Sequence, residues 1–302
     1  MHASAPPPRS PFRTAISFAI ITLIWGSTWL VIKSQLGVVP ASWSVTWRFL
    51  LAGLVMLAVC LVTGKSLRLS PRGHAFALAI GALQFCLNFN LVYRAEVHLA
   101  SGLVALTFAL LIVPNAVLSA VFLGARITPR FAIGSGLGIA GLALVFARDI
   151  FAPGADGGEI GLGMALAVAA VLCAGIANVM QASPTGRAQP LEGGLAWAMG
   201  YGTLINAAAA LVLSGPPVFD TSPVYIAGVA YLGIVASAVA FSLYYALIRE
   251  IGAGKAAYTS VIIPLVAMTL STMFEGYRWS ALAVAGAALA MAGLVIALRS
   301  RD

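Results

Sequence analysis

Apolar residues fall in long unbroken runs along this chain, not in alternation. The runs cover roughly 14–32, 42–62, 74–93, 99–122, 130–147, 159–180, 193–213, 224–247, 255–274 and 280–298. Each is close to the ~20 residues that a helix needs to cross a bilayer. Polar or Pro/Gly breaks separate them, such as Gly64-Lys65, Pro153-Gly154 and Pro216-Pro217. The break between the third and fourth runs, Arg94 to His98, is only a few residues long. Continuous runs predict helices, whereas a barrel would alternate. The expected fold is therefore an all-α integral membrane protein with ten transmembrane helices. Residues 1–13, with Pro6, Pro7 and Pro8, are expected to form a disordered tail, and 299–302 a short second one. The first run follows Arg9 and Arg13 as a signal peptide would. It ends in Lys33 without a small-residue cleavage site, so it reads as an uncleaved span.

Composition agrees with this pattern. Hydrophobic residues are 61% of the chain and charged residues 9%, against about 25% charged in a soluble domain. Lys and Arg number 17 and Asp and Glu 9, a net charge of +8. In a soluble protein such an excess would raise nucleic-acid binding. Here the positions of the charges explain it. A cytoplasmic N-terminus puts Arg9, Arg13, Lys65, Arg68, Arg72, Arg126, Arg130, Arg187, Arg249, Lys255, Arg299 and Arg301 inside. Only Lys33, Arg94, Arg148 and Arg278 then lie outside, and Arg48 lies within a span. Basic loops face the cytoplasm, so both termini are expected there, in a multi-pass protein of the cell inner membrane. The partners implied are the lipid bilayer and a small-molecule substrate, with no nucleic acid.

The chain also repeats itself. A shift of 152 residues aligns the fourth and fifth runs with the ninth and tenth. Gly102/Gly254, Ala105/Ala257, Thr107/Thr259, Leu118/Leu270, Ser119/Ser271, Phe122/Phe274, Gly124/Gly276 and Arg126/Arg278 are identical. Gly134/Gly286, Leu137/Leu289, Ala140/Ala292, Gly141/Gly293 and Leu142/Leu294 follow without a gap. Thr128-Pro129 suits a helix N-cap and first-turn proline, and its partner is Ser280, a second N-cap. Five spans per repeat is an odd number, so the halves cross the membrane in opposite senses. The expected units are 14–148 and 159–298, joined by a periplasmic linker 149–158. Inverted repeats suit alternating access by a transporter.

Short motifs then resemble the EamA-type group of the drug/metabolite transporter superfamily over nearly the whole chain. Trp25-Gly26-Ser27-Thr28 with Lys33 is similar to its first-helix signature, and Arg48-Phe49-Leu50-Leu51-Ala52 to its second-helix motif. Gly252-Ala253-Gly254-Lys255-Ala256-Ala257-Tyr258, Pro264 and Phe274-Glu275-Gly276-Tyr277-Arg278-Trp279 are similar to its usual ending. The chain departs from the pattern at Ile112, where the family often has proline (here Pro114), and at Gly124-Ala125, where it often has Gly-Glu. The resemblance implies a substrate cavity enclosed by spans 1–4 and 6–9, flanked by spans 5 and 10. It implies transport of small metabolites, often export of amino acids.

Polar groups inside a bilayer are costly and face a cavity or another helix. Gln84 and Asn88, four apart and so on one face of span 3, form a polar cluster with Asn90. Asn115, Asn178, Gln181 and Asn206 are further candidates, for a cavity or for interhelical hydrogen bonds. Pro114 and Pro264 each remove a backbone hydrogen bond and are candidate hinges. Thr107 and Thr259, equivalent in the repeat, offer hydroxyls, as does Thr28. Candidate lining aromatics are Trp25, Trp29, Phe85, Phe89, Tyr93, Phe108, Tyr201, Tyr244, Tyr245 and Tyr258, while Trp43, Trp47, Trp197 and Trp279 suit an interfacial belt. Lys33 ends the first span and is expected to snorkel. Arg48 lies roughly 9 Å inside the second helix at 1.5 Å per residue, where it suits a carboxylate-bearing substrate.

Acidic residues fall near span ends or in loops: Glu96, Glu250 and Glu275 near ends, the rest in loops or the tail. A first-helix carboxylate, as small multidrug antiporters of the superfamily carry, is missing, and Ile24-Trp25-Gly26 stands there. His2, His74 and His98 are terminal or in loops, and Cys60, Cys86 and Cys173 lie in apolar runs. No catalytic, metal or cofactor set emerges. The chain is therefore expected to be no enzyme and to need no cofactor. A sugar-phosphate or organic-anion carrier of the same fold is the alternative, with a membrane-embedded enzyme far behind. Gly134, Gly138 and Gly141 in span 5, and Gly286, Ala290 and Gly293 in span 10, suit close packing within a monomer first and a homodimer second.

Overall fold

A computed structural model describes residues 11–150, 156–256 and 259–299, and their regular structure is helical. In chain order the long helices are α1 (Pro11–Ser34), α2 (Ala41–Thr63), α3 (Pro71–His98), α4 (Ser101–Leu123) and α5 (Pro129–Ile150). They continue with α6 (Gly157–Ala182), α7 (Leu191–Ser214), α8 (Pro223–Ala256), α9 (Thr259–Phe274) and α10 (Ala281–Arg299). Eight of them, α1 to α8, are long and apolar enough to cross a membrane, while α9 and α10 hold shorter apolar stretches, Ile262–Phe274 and Ala281–Ala297. A single short helix, Pro184–Ala188, bridges α6 and α7.

Local chemistry sets the helix starts. Ser70, Ser183 and Ser222 each precede a proline and accept a hydrogen bond from a first-turn N–H, from Gly73, Gly186 and Tyr225. Thr128 and Ser280 do the same for Phe131 and Ala283, at 3.2 and 3.1 Å. These hydroxyls satisfy N–H groups that no helical turn can reach. Three boundaries differ from expectation. Pro11 to Arg13, expected in the tail, begin α1. The linker is shorter than 149–158, because α5 runs to Ile150 and α6 starts at Gly157. Arg94 to His98, expected as a break, is the last turn of α3. Lys33 Nζ donates to the carbonyls of Glu96 and Leu99 there, at 3.0 Å for Leu99, and so satisfies the end of the helix.

Several features recur at the 152-residue spacing or within two residues of it. Gly124 and Gly276 end α4 and α9 with the same left-handed φ of 69°. Ser119 O then accepts from Ala125 N, and Ser271 O from Tyr277 N, at 3.1 and 3.3 Å. Wide-turn π segments interrupt α3 at Gly81–Asn88 and α8 at Tyr231–Val239. Each segment has a glycine pressed on a neighbouring helix: Gly81 against Ala198 and Gly202 of α7, Gly233 against Arg48 and Leu51 of α2. Each also offers a carbonyl outside its own helix: Phe85 O to Asn206 Nδ2 at 2.9 Å and Ala236 O to Trp25 Nε1 at 3.1 Å. Such segments accompany functional sites.

The exterior is apolar: Val62 is 87% exposed, Val212 85% and Phe122 71%. The polar groups lie inside instead, with Asn115, Asn206 and Glu96 fully buried and Arg48 1% exposed. That inverted distribution is what lipid demands. Helices α5 and α10 pack together along Gly134, Gly141, Gly286 and Gly293. A Cβ on Gly141 would strike the Ala290 backbone and the Gly286 carbonyl, whereas Gly136 borders open space. Overpacking of this kind costs about 1–3 kcal/mol. Gly141→Val is therefore expected to lower the thermal midpoint of the detergent-purified protein. Gly136→Val should leave it unchanged, both read by fluorescence-detected gel filtration after heating.

Candidate functional site

Seven of the remaining helices, α1 to α4, α6, α8 and α9, line a cavity of about 90 Å³. One water needs roughly 10–15 Å³ on this measure, so the space suits several waters or a small metabolite. Trp25, Thr28, Trp29 and Ile32 of α1, Arg48 of α2, and Gln84, Asn88, Phe89 and Val92 of α3 line one part. Ala105, Phe108, Ala109 and Leu111 of α4, Ala174 and Asn178 of α6, Phe241 and Tyr244 of α8, and Thr259, Ile263 and Pro264 of α9 complete it. Helix α7, expected among the walls, gives no lining residue. It stands behind α3, tied by Asn206 to Phe85 and Asn90.

Arg48 dominates the wall electrostatically. Its position places the side chain under α3 and α8. Nε donates to Ser237 Oγ at 2.9 Å, within the π segment of α8. The guanidinium lies 4.2 Å from the ring centre of Phe89 and 5.3 Å from that of Phe49. Cation–π attraction offsets part of the lost hydration. Nη1 is buried without a hydrogen-bond partner, and among the described residues no carboxylate is in ion-pair range. A buried cation so incompletely paired is the arrangement that an anionic ligand completes.

The other polar lining groups are partly used. Thr28 and Thr259 hydroxyls donate to carbonyls of their own turns, Trp25 O and Ala256 O, at 2.8 and 3.0 Å. Asn88 Nδ2 donates to Ala170 O at 2.8 Å, and Gln84 Nε2 reaches Asn88 Oδ1 at 3.4 Å. Asn178 Nδ2 reaches Asn115 Oδ1 at 3.5 Å. Gln84 Oε1 and Trp29 Nε1 are buried without partners. Rings form the rest: Trp25 meets Tyr244 edge-on at 4.8 Å and Phe241 at 5.2 Å, and Trp29 meets Phe108 at 5.0 Å.

The structure thus brings together Trp25, Thr28, Arg48, Gln84, Asn88, Phe89, Phe108, Asn178, Tyr244, Thr259 and Pro264. Other candidates lie elsewhere. Tyr201 pairs its hydroxyl with His74 Nδ1 at 2.9 Å and stacks on Trp197, because its face of α7 turns away from the cavity. Thr107 is buried, but its hydroxyl bonds back to Leu103 O. Pro114 packs against Gly175 rather than the cavity. With no N–H it cannot bond the carbonyl of Leu110, and α4 breaks at Leu110–Leu111. Tyr258 lies outside the described residues. Asn90, expected in the polar cluster, donates to Asn206 Oδ1 at 2.6 Å and Cys86 O at 2.9 Å. Trp43 is buried, and it and Trp47 donate to Gly215 O and Val218 O in the loop after α7. Phe241 went unpredicted; its i, i+3 spacing from Tyr244 was the available signal.

With this geometry in view, likeness to known proteins can be read. The model of the EamA-like transporter family matches residues 13–147 and again 161–299. The chain belongs to the EamA-like transporter family. The family copies thus fall on α1–α5 and α6–α10. Several relatives carry transporter or exporter names. An uncharacterized inner membrane transporter, YedA of Escherichia coli strain K12, is 26% identical over 290 residues, covering 87% of this chain and 84% of its own. A probable terminal-alkyne amino-acid exporter of Streptantibioticus cattleyicolor is 28% identical over 246 residues, covering 80% and 72%. Protein PagO of Salmonella typhimurium is 24% identical over 273 residues, covering 88% and 86%. A crystal structure superposes with a TM-score of 0.72 at 22% identity, covering 97% of this chain and 99% of that one. The fold of this EamA-like protein is therefore that of a solved structure over nearly its full length.

The Asn90–Asn206–Phe85 network holds α3 to α7 behind the cavity. Asn206→Leu should lower stability by about 1 kcal/mol in thermal unfolding, with flux per folded molecule unchanged. A lost substrate affinity would instead place Asn206 in the transport path.

Proposed function

We propose that this protein is an inner-membrane exporter of small carboxylate-bearing metabolites, amino acids foremost. In this reading all ten helices cross the membrane as two inverted five-helix repeats, with both termini cytoplasmic. The cavity opens alternately to each side. The observation that carries the substrate class is Arg48, a buried guanidinium in the cavity wall without a carboxylate partner. A substrate carboxylate would supply the missing acceptor, and the adjoining rings of Trp25, Phe89 and Tyr244 would hold an apolar side chain. A cavity of about 90 Å³ favours small compounds. The recurrence of the glycine caps at 152 residues, and of the π segments within two residues of that spacing, supports the two-repeat architecture. The relative named as a probable amino-acid exporter supports the direction and the class. Phosphate esters fit less well. They need several converging cations, and the other nearby cation, Lys33, is committed to the carbonyls of Glu96 and Leu99.

The test is a proteoliposome screen of labelled amino acids and related acids, with and without a pH gradient. A hydrogen bond to a charged group is worth about 1.5–3 kcal/mol. Arg48→Ala should therefore weaken transport on the order of 10- to 100-fold while membrane insertion stays intact. Wild-type flux in that variant removes the carboxylate-site reading, and silence of the wild-type protein toward every amino acid removes the leading substrate class.

A further inference from the structure

Glu96 is a second buried ionisable group near Arg48, and the transport reading does not use it. It sits in the last turn of α3, one turn beyond Val92 of the cavity wall. Its side chain is fully buried, and neither carboxyl oxygen has a hydrogen-bond partner. The donors around it are engaged or turned elsewhere. Lys33 on α1 gives its ammonium to the backbone carbonyls of Glu96 and Leu99. Tyr93 donates to Gln35 Oε1 at 2.9 Å. His98, at the same end of α3, pairs with Glu159 of α6. Glu275, after α9, is taken by Ser101 N and Oγ, the latter at 2.8 Å, and by Ser271 Oγ. Lys33, Arg48 and Glu275 are the charges that Glu96 senses.

An ionised carboxylate in this setting would lack every hydrogen-bond donor that stabilises it, a cost that a bound proton removes. Parting the Lys33 and Glu275 contacts would admit water to the same carboxyl and let the proton leave. Substrate adds a second influence. A carboxylate seated on Arg48 cancels the cation that favours the charged form of Glu96, and so favours its acid form. Binding of substrate and of a proton are then mutually reinforcing, as linkage requires.

We propose that Glu96 is the proton-binding group of this carrier, and that one proton travels with each carboxylate-bearing substrate. The proton passes from water to a carboxyl oxygen of Glu96 on loading and back to water on release. This coupling rests on the substrate class proposed above. Net flux follows the sum of the substrate and proton gradients, so efflux occurs when the outward substrate gradient exceeds the inward proton gradient.

Two measurements test it on the purified full-length protein. The first is infrared difference spectroscopy without substrate. At neutral pH the wild type should show a protonated-carboxyl band that Glu96→Gln lacks and Glu96→Asp shifts. Identical carboxyl bands in the wild type and Glu96→Gln overturn the proposal. The second is transport of labelled alanine into proteoliposomes. The wild type should accumulate alanine when the outside is acidic. Glu96→Gln should keep alanine counterflow but lose accumulation, because the neutral amide mimics the loaded state. Unchanged accumulation in Glu96→Gln overturns the coupling. Absence of wild-type flux for every carboxylate-bearing compound overturns the substrate class and the coupling together. A Glu96 band that is present all the same then locates that failure in the substrate class. Should Glu96→Gln fail to fold, Glu96→Asp carries the same test. A pH dependence of accumulation identical to that of the wild type, with no band shift, overturns the proposal.

Discussion

A guanidinium taken out of water and surrounded by hydrocarbon loses several kcal/mol of hydration, and much of this bundle is arranged about Arg48. The faces of Phe89 and Phe49 return part of the loss. Ser237 accepts one of its hydrogen bonds. Ser237 can do so because α8 widens into a π segment there, with Gly233 pressed against the Arg48 carbonyl and Leu51. The same segment presents Ala236 O to Trp25, which fixes the indole beside Tyr244 and Phe241. One cation thus organises the helix geometry and the aromatic wall on that side of the cavity. The arrangement stays one acceptor short, and this shortage links the packing to transport.

Elsewhere the helices are held together by small residues. At α5 and α10, glycines bring the two backbones close together, away from the cavity. Where the two π segments meet α7 and α2, Gly81 and Gly233 do similar work. Lipid offers little hydrophobic drive for helix association, so close van der Waals approach takes its place. The polar network of Asn90, Asn206 and Phe85 O adds hydrogen bonds to it.

Much of this was legible in the sequence, because bilayer thickness and capping chemistry leave clear marks. Most helix bounds agree within a few residues, although α8 runs to Ala256 where the apolar run ended at 247, and Thr128, Ser280, Gly124 and Gly276 act as helix ends where the repeat puts them. The candidate site was legible where a residue sits deep in a span and is polar or aromatic, as with Arg48, Asn88 and Trp25. It was illegible where rotation about a helix axis decides the outcome. Tyr201 and Asn90 have the right chemistry but face other helices, and Phe241 looked like ordinary core. The π segments, which shift that rotation within α3 and α8, leave no composition signal beyond a glycine in each segment.

Three charged residues show why depth along a helix is a poorer guide than hydrogen-bond partners. Lys33, Glu96 and Arg48 all lie near the same end of the bundle. By depth alone, Lys33 reads as a snorkelling residue and Glu96 as a terminal one. In the structure Lys33 is a cap: its ammonium closes the end of α3 by serving two carbonyls. That commitment removes the donor nearest to Glu96, whose carboxyl is left buried and unserved. Arg48 keeps a bare donor because Ser237 and two rings cannot satisfy a five-donor fork. Two neighbouring ionisable groups, one acidic and one basic, are therefore left incompletely satisfied, each for its own reason. In a bundle with so few charges, the packing around such a pair leaves its hydrogen-bonding capacity unfilled, which is what a ligand or a proton can complete.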